Sequence, residues 1–444
     1  MARKNDNRRP RRILILGGGY VGLYTALALR RKAGNKTKII VIDRRAYMTY
    51  QPFLPEAAAG SIEPRHAVVP LRRELSGVRV IQGKVTGINS ADKRVHVTSD
   101  VGDNKSIEYD ELVLALGSVV RTLPIPGLKE FGMGFKYVEE AINLRNRVLG
   151  RLARAASTDD AALRRRLLTF VFVGGGFAGV EAFAETEDMA RAALRDFSNL
   201  SPEDLRFVMV EMLDGILPEM GEGMGDYALN ELRGRGMEVY LGTKLVSCVD
   251  GHIELSDGQT FQADTLVWTA GVKPSPVLAG SDLPLGPKGH VNTLATLQVA
   301  TEDGTPLDGV WAAGDCAQIP DLTKEQPAWC APTAQHAVRQ ARLLGDNLAR
   351  SIDGNAPREY KHRNLGMVAS LGLNEGVANI MGVKLRGWPA WFAHRTYHMS
   401  QIPTVNRKAR IILDWTTAVF FRRDLVSMGR LHEPRRAFEE AADS

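Results

Sequence analysis

Cysteine is scarce: the 444 residues hold three, Cys248, Cys316 and Cys330. None forms a CxxC pair or sits at a metal-ligand spacing, which argues against a disulfide framework or a zinc site and fits a reducing compartment. No run of ~18 apolar residues occurs, so no segment spans a bilayer as a helix. Biased composition is missing too. With 44% apolar and 24% charged residues, a disordered or fibrous chain is excluded. Charge of one sign is confined to two places. Residues 1–12 carry Arg3, Lys4, Arg8, Arg9, Arg11 and Arg12 against Asp6, and residues 384–430 carry nine basic residues against Asp414 and Asp424. These segments have nets of +5 and +7, so the rest of a chain whose total is +6 is acidic, at about −6. At ~150 residues per domain the length allows two or three domains.

Glycine is what the chain has in excess, 43 residues, and much of the surplus falls in two clusters. The first follows Arg8-Arg9-Pro10-Arg11-Arg12 and an apolar run, an imitation of a twin-arginine signal peptide. Gly17, Gly18, Gly19 and Gly22 interrupt that run in a pattern of their own, so it reads as structure. Residues 12–16 form a strand, Gly17–Gly19 a turn, 20–32 a helix and 38–42 a second strand ending at Asp43. The same grammar returns: a strand at 167–173, a turn at Gly174–Gly179, a helix from near Val180 and a strand at 205–210 ending at Glu211. Segments 109–118, 264–274 and 310–317 read as strands that return to the sheets. The expected fold is α/β, with two Rossmann-like dinucleotide-binding domains, the second inserted in the first. Their bounds are 1–120 with 275–345, and 121–274, followed by a C-terminal amphipathic helical region at 346–444.

Gly17-x-Gly19-x-x-Gly22 meets the dinucleotide fingerprint in its strand–turn–helix context. The first glycine makes the turn, the second admits the pyrophosphate, and the third lets helix pack on strand. The helix N-terminus offers N–H groups to the phosphates. Asp43, 21 residues past Gly22, suits a carboxylate on ribose hydroxyls. A plain glycine-rich turn would need neither the strands nor the acid. Gly174-x-Gly176-x-x-Gly179 matches equally, although Glu211 lies 32 residues past Gly179, a difference that a loop at 199–204 absorbs. A carboxylate there repels a 2′-phosphate, and no arginine follows closely, which favours NADH over NADPH. Two such sites divide their labour when one dinucleotide stays and the other exchanges, and hydride transfer from a nicotinamide to a bound flavin is the simplest use. Gly314-Asp315, at a strand end, places an acid for the ribityl or phosphate region of the flavin nucleotide, or else caps a turn.

In these motifs the chain resembles the type II NADH dehydrogenases, the single-subunit, non-proton-pumping NADH:quinone oxidoreductases, which hold FAD. The matching pieces are Gly17-Gly18-Gly19-Tyr20-Val21-Gly22, Ala115-Leu116-Gly117-Ser118, residues 174–181, Trp268-Thr269-Ala270-Gly271-Val272 and Ala313-Gly314-Asp315-Cys316-Ala317. The likeness covers about 12–345 and continues more weakly to about 430. Most of these motifs are common to many flavin reductases. The more specific one is 332–340, which resembles the family's Ala-Gln segment beside the flavin ring. By resemblance Gln335, Arg339 and Gln340 contact the quinone; the family often has glutamine where Arg339 stands, which bears on the quinone's fit. The plain reading of Gln335 is a polar residue on a helix face. Glu181 is matched to a family glutamate that tunes flavin–quinone contact or proton delivery, and it is also an ordinary helix-start acid. Residues 51–56 resemble a stretch lining the flavin pocket.

The segments 387–399 and 410–423 place Trp388, Trp391, Phe392 and Met399, and then Ile412, Trp415 and Val419, at helical spacing among basic residues. This is the pattern of helices lying in a membrane interface; a packed core helix or a homodimer face is the alternative. The family anchors itself in this way. The resemblance therefore implies peripheral attachment at the cytoplasmic face, a quinone partner, and no role for nucleic acid or a metal. Competing readings are a sulfide:quinone oxidoreductase, disfavoured by the absence of a cysteine pair, a soluble NAD(P)H-dependent ferredoxin or disulfide-type reductase, and a non-catalytic nucleotide-sensing flavoprotein.

Overall fold

The computed structural model describes residues 9–221, 223–325, 327–363, 366–421, 423 and 425–427. The basic residues Arg3, Lys4, Arg8, Arg422 and Arg430 lie outside them. The chain divides into two compact units: Met1–Thr49 with Val68–Arg121 and Val272–Asn364, and Tyr50–Ala67 with Thr122–Gly271 and Leu365–Ser444. Residues 346–364 thus belong with the first unit, and 50–67 with the second.

Unit one is built on an eight-stranded sheet, ordered Gln298–Ala300, Pro306–Ala312, Glu111–Leu114, Arg11–Leu16, Thr37–Asp43, Arg79–Asn89, Arg94–Ser99 and Asn104–Glu108. The five strands from Pro306–Ala312 to Arg79–Asn89 run parallel, and the outer pairs are antiparallel. Ile13–Leu16, Ile39–Ile42 and Leu112–Leu114 are buried at every position. Continuous apolar runs are what a parallel sheet covered on both faces requires. Glu111, buried at a strand end, is held by Trp311 Nε1 at 2.9 Å and by Arg11 at 2.7 Å. Helix Tyr20–Ala33 packs against helix Ala334–Ile352, with Gly345 at the contact, where a Cβ would sit 2.7 Å from that of Ala28. The two short exits Ser118–Val120 and Val272–Pro274 pair antiparallel, Val119 opposite Lys273.

Unit two repeats the plan on a fully parallel sheet ordered Gly132–Gly134, Thr265–Trp268, Thr169–Val173, Arg206–Val210 and Glu238–Tyr240. Phe170, Phe172, Phe183 and Phe207 pack ring against ring in its core. Helix Phe177–Ala193 starts directly after the glycine turn, three residues earlier than the sequence suggested, because Gly176 in extended conformation serves as its cap. The unit also contains an antiparallel sheet of Gly366–Ser370, Gly376–Ile380 and Val383–Arg386, followed by helices Trp388–Gln401 and Val405–Phe420. Among the described residues no helix is long and apolar enough to cross a membrane.

Candidate functional site

Each unit carries the same device where a central strand meets its helix. In unit one Gly17 has φ +106°, and a Cβ there would lie 2.2 Å from the Ala115 carbonyl oxygen. A Cβ on Gly22 would lie 1.8 Å from the Gly17 carbonyl oxygen. Neither position tolerates a side chain. A Cβ on Gly19, by contrast, would meet nothing within 4 Å, so that position opens onto a cradle. Gly19 caps the helix with no side-chain hydrogen bond, and the first turn holds no acid. Such an N-terminus suits an anion. Asp43 accepts from Gly18 N at 2.6 Å and from Arg45 N at 2.7 Å. Burial raises its pKa, with these N–H groups and the Arg45 and Arg44 charges pulling back only in part.

In unit two Gly174 has φ +113°, a Cβ on Gly179 would lie 1.9 Å from the Gly174 carbonyl oxygen, and Gly176 is again open. Glu211 accepts from Gly175 N with one carboxylate oxygen and from Leu213 N, at 2.7 Å, with the other. Glu211 therefore does for Gly175 what Asp43 does for Gly18. The extra residues between Gly179 and Glu211 are taken up by a longer helix and a short turn, Pro202–Asp204, closed by Ser201. Met212 and Leu213 follow as exposed apolar side chains, a feature that motif spacing did not reveal. Gly271, at φ +99°, lies in the loop after Trp268 with its N–H donated to Thr269 O at 2.9 Å.

A cavity of about 460 Å³ in unit one is walled by Ser118, Gly314, Asp315, Thr333, His336 and Gln340, among others. Asp315 accepts from Ser118 Oγ at 2.7 Å, and Gly314 N donates to Gln340 Oε1 at 3.0 Å. Val21 packs beside Gly314, where a Cβ would come within 2.7 Å of its methyl. Tyr20 opens the helix at the first turn. Ala115 closes over Gly17, and Gly117 takes φ +59° before Ser118. Gln335 and Arg339 are not in this cavity wall. Gln335 Oε1 faces His362 Nε2 at 3.2 Å, and Arg339 donates to Gln335 O at 3.1 Å. Burial and the Arg339 charge push His362 down to about 4, so it is neutral at pH 7. The structure thus joins Gln340 to Gly314, beside Asp315, and sets Gln335 with Arg339 on another face of the same helix.

Glu181 is buried in unit two. It accepts from Ser370 N at 3.0 Å and lies 3.0 Å from His394 Nε2. Around it stands a polar cluster that the sequence reading missed. Glu185 accepts from Ser370 Oγ at 2.8 Å, and Glu56 accepts from Trp415 Nε1 at 2.7 Å and from Arg395 at 3.0 Å. Burial raises Glu185 to about 7, with Glu56 adding repulsion and Arg423 opposing it. For His394 burial favours the neutral ring, but Glu181, Glu56 and Glu185 outweigh it and raise the pKa. The available signal was two acids four residues apart, Glu181 and Glu185, on a helix whose neighbouring positions are alanine and phenylalanine.

The three cysteines are free, and burial pushes each thiol up to about 11, so none is a poised thiolate. Among the described residues no group of histidine, cysteine and acid side chains could hold a metal. Trp388, Phe392, Ile412, Leu413, Val419 and Phe420 are exposed on the two C-terminal helices. Trp415, expected beside Ile412 and Val419, turns instead toward Glu56 and stacks edge-on with Phe53 at 5.8 Å, because the indole N–H finds a buried carboxylate there.

Residues 11–341 match the pyridine nucleotide-disulphide oxidoreductase family. The type II NADH:quinone oxidoreductase Ndh of Mycobacterium tuberculosis is 28% identical over 94% of this chain and 89% of its own length. The type II NADH:quinone oxidoreductase of Staphylococcus aureus is 29% identical over 86% and 92%. In fold the chain is similar to NDH2 of Plasmodium falciparum, solved with NADH, at TM-score 0.86 and 17% identity, covering 94% of this chain and 100% of that one. It is also similar, at TM-score 0.63 and 19% identity over 83% and 88%, to a ferredoxin reductase from Rhodopseudomonas palustris.

Proposed function

The chain belongs to the pyridine nucleotide-disulphide oxidoreductase family, and from that premise we propose that it is a single-subunit, non-proton-pumping NADH:quinone oxidoreductase. The observation that carries this reading is the duplicated turn, two open glycine cradles each braced by its own carboxylate. Both fit a dinucleotide: Gly19 and Gly176 leave the space that a pyrophosphate needs against a helix N-terminus. Bound FAD supplies the two-electron chemistry between NADH and quinone.

The protein's part is positioning. Gly17, Gly19 and Gly22 with Asp43 would hold the adenine half of FAD, and Asp315, fixed by Ser118, would meet its ribityl chain. Gly174, Gly176 and Gly179 would receive the NADH pyrophosphate. Glu211 would present its carboxylate to the adenine ribose hydroxyls, and the exposed Met212 and Leu213 would offer an apolar wall for the adenine. Gln335, Arg339 and Glu181 are assigned by resemblance to the quinone end and to its proton supply. The cysteine set supports a quinone over a disulfide acceptor, since none of the three thiols is activated. The exposed Trp388, Phe392, Val419 and Phe420 support peripheral attachment to a membrane; the cytoplasmic face is assigned by resemblance alone. Homodimerisation by the same helices is the competing use of that face.

Steady-state turnover tests the reading. The purified protein should oxidise NADH with a short-chain quinone as acceptor, at a kcat/KM for the quinone at least ~100-fold above that for ferredoxin or a disulfide. Turnover only with ferredoxin or with a disulfide would replace the quinone assignment.

A further inference from the structure

The C-terminal helix pair rests on charge as well as on apolar packing. Beneath it, inside unit two, lie three buried carboxylates from two other helices: Glu56 from Leu54–Ala58, and Glu181 and Glu185 from Phe177–Ala193. Glu181 and Glu185 are bridged by one residue, Ser370, whose backbone N–H donates to Glu181 and whose hydroxyl donates to Glu185. The helix pair answers with His394 against Glu181, and with Arg395 and Trp415 against Glu56. The cluster is incompletely satisfied. Glu56 Oε1, Glu185 Oε2, Trp391 Nε1, His394 Nδ1 and Arg395 Nε are buried with no hydrogen-bond partner. A buried carboxylate with an orphaned oxygen is costly when charged and tolerable when it carries a proton.

We propose that Glu185 and His394, with Glu181 and Ser370 between them, form a proton-binding site whose occupancy docks the C-terminal helices Trp388–Gln401 and Val405–Phe420 onto unit two. With Glu185 neutral and His394 charged, the cluster sets Glu56 and Glu181 against His394, Arg395 and Arg423. Loss of both protons leaves three carboxylates facing Arg395 and Arg423. Further charges surround Glu185. Glu187 and Asp188 are each paired with Arg235, Arg191 adds a second partner to Glu187, and Arg423 faces Glu185 from the far end of the chain.

The direction of the pH effect follows from linkage. Burial holds the Glu185 proton against the opposing Arg423 and Arg395 charges; if undocking the helices exposes Glu185, docking weakens as pH rises from the ordinary carboxylate range to about 7. His394 is raised on docking, so its contribution is complete below about 6.5 and is lost as pH climbs through its docked value. His398, buried beside it and pushed well below its ordinary pKa, acts oppositely and only on the acid side. Between about pH 6.5 and 7 the first two groups therefore act together, each by up to about tenfold per pH unit within its own window, and above 7 the fall rests on His394.

Hydrogen–deuterium exchange on the full-length FAD-loaded protein at pH 6, 7 and 8, corrected for the intrinsic pH dependence of exchange, reads docking directly. Protection of 388–420 should fall severalfold from pH 6 to 8 while that of the strand 169–173 stays constant. Glu185→Gln, uncharged at every pH and still able to accept from Ser370, should flatten the fall between pH 6 and 7 and leave the part above 7, which His394 carries. His394→Gln should start from lower protection at pH 6. Wild-type protection of 388–420 that does not change with pH would overturn the proposal, and so would a Glu185→Gln profile that follows the wild type. Co-unfolding of both segments in a variant shows as equal loss at 169–173; Ser370→Ala, which removes the hydroxyl bridge alone, then reports the same coupling and should shift the fall to a different pH.

Discussion

Gly19 and Gly22 share one turn yet differ in what a methyl group would meet. At Gly22 it would overlap the Gly17 carbonyl at 1.8 Å, whereas at Gly19 it would enter open space. Gly22→Ala should therefore damage the protein itself, lowering the Tm of the apoprotein by several degrees, since forcing an extra carbon into a packed contact costs about 1–3 kcal/mol or more. Gly19→Val should leave the apoprotein Tm nearly unchanged and reduce retained FAD by about tenfold or more, because only the ligand needs that space. Thermal melts of the apoproteins and the flavin-to-protein absorbance ratio separate the two. Glu211→Gln keeps the shape of the ribose-facing side chain and removes its charge. The preference for NADH over NADPH in kcat/KM should then fall about tenfold, the worth of ~1.4 kcal/mol of charge repulsion near a protein surface. An unchanged preference would move nucleotide discrimination elsewhere. These residues were legible in the sequence because each works within its own strand–turn–helix segment, where spacing alone places it. Glu185 and Ser370 meet across 185 positions, and no local pattern announces such a contact.

Whole elements were legible where burial makes their pattern strict. Ile13–Leu16 and Thr169–Val173 are fully buried strands, and their unbroken apolar runs show it. Helix phase was harder to read. Gln335 and Gln340 are five residues apart on one helix, and that difference sends Gln340 to the Gly314 N–H and Gln335 to His362. Phase also decides the C-terminal helices, where Trp415 leaves the exposed stripe for Glu56. Trp415→Phe deletes that hydrogen bond while keeping an aromatic ring, and stability measured by denaturant should drop by about 1–3 kcal/mol, as expected for a buried acceptor losing its donor. The stripe that remains outside, with Val419 and Phe420 over three-quarters exposed, should mediate attachment. Val419→Asp with Phe420→Asp should cut co-sedimentation with anionic phospholipid vesicles about tenfold or more and leave reduction of the flavin by NADH intact. Equal co-sedimentation would assign the face to a second copy of the chain, which sedimentation velocity would then detect.

At the scale of the molecule, the chain carries two copies of one nucleotide-binding plan and adds a C-terminal helix pair to the second. The duplication explains why an internal repeat in the sequence predicts two sites, and Asp43 and Glu211 bracing Gly18 and Gly175 in the same manner show how closely the copies correspond. What the repeat does not encode is how electrons leave, because acceptor recognition rests on residues outside the duplicated turns. An anaerobic titration followed by visible absorbance tests the whole cycle at once. The purified protein should show a flavin spectrum, bleach with about one equivalent of NADH per flavin, and recover its colour when a short-chain quinone is added. Bleaching without recovery would contradict quinone as the acceptor, and a colourless protein that takes up no added FAD would contradict the flavoenzyme itself.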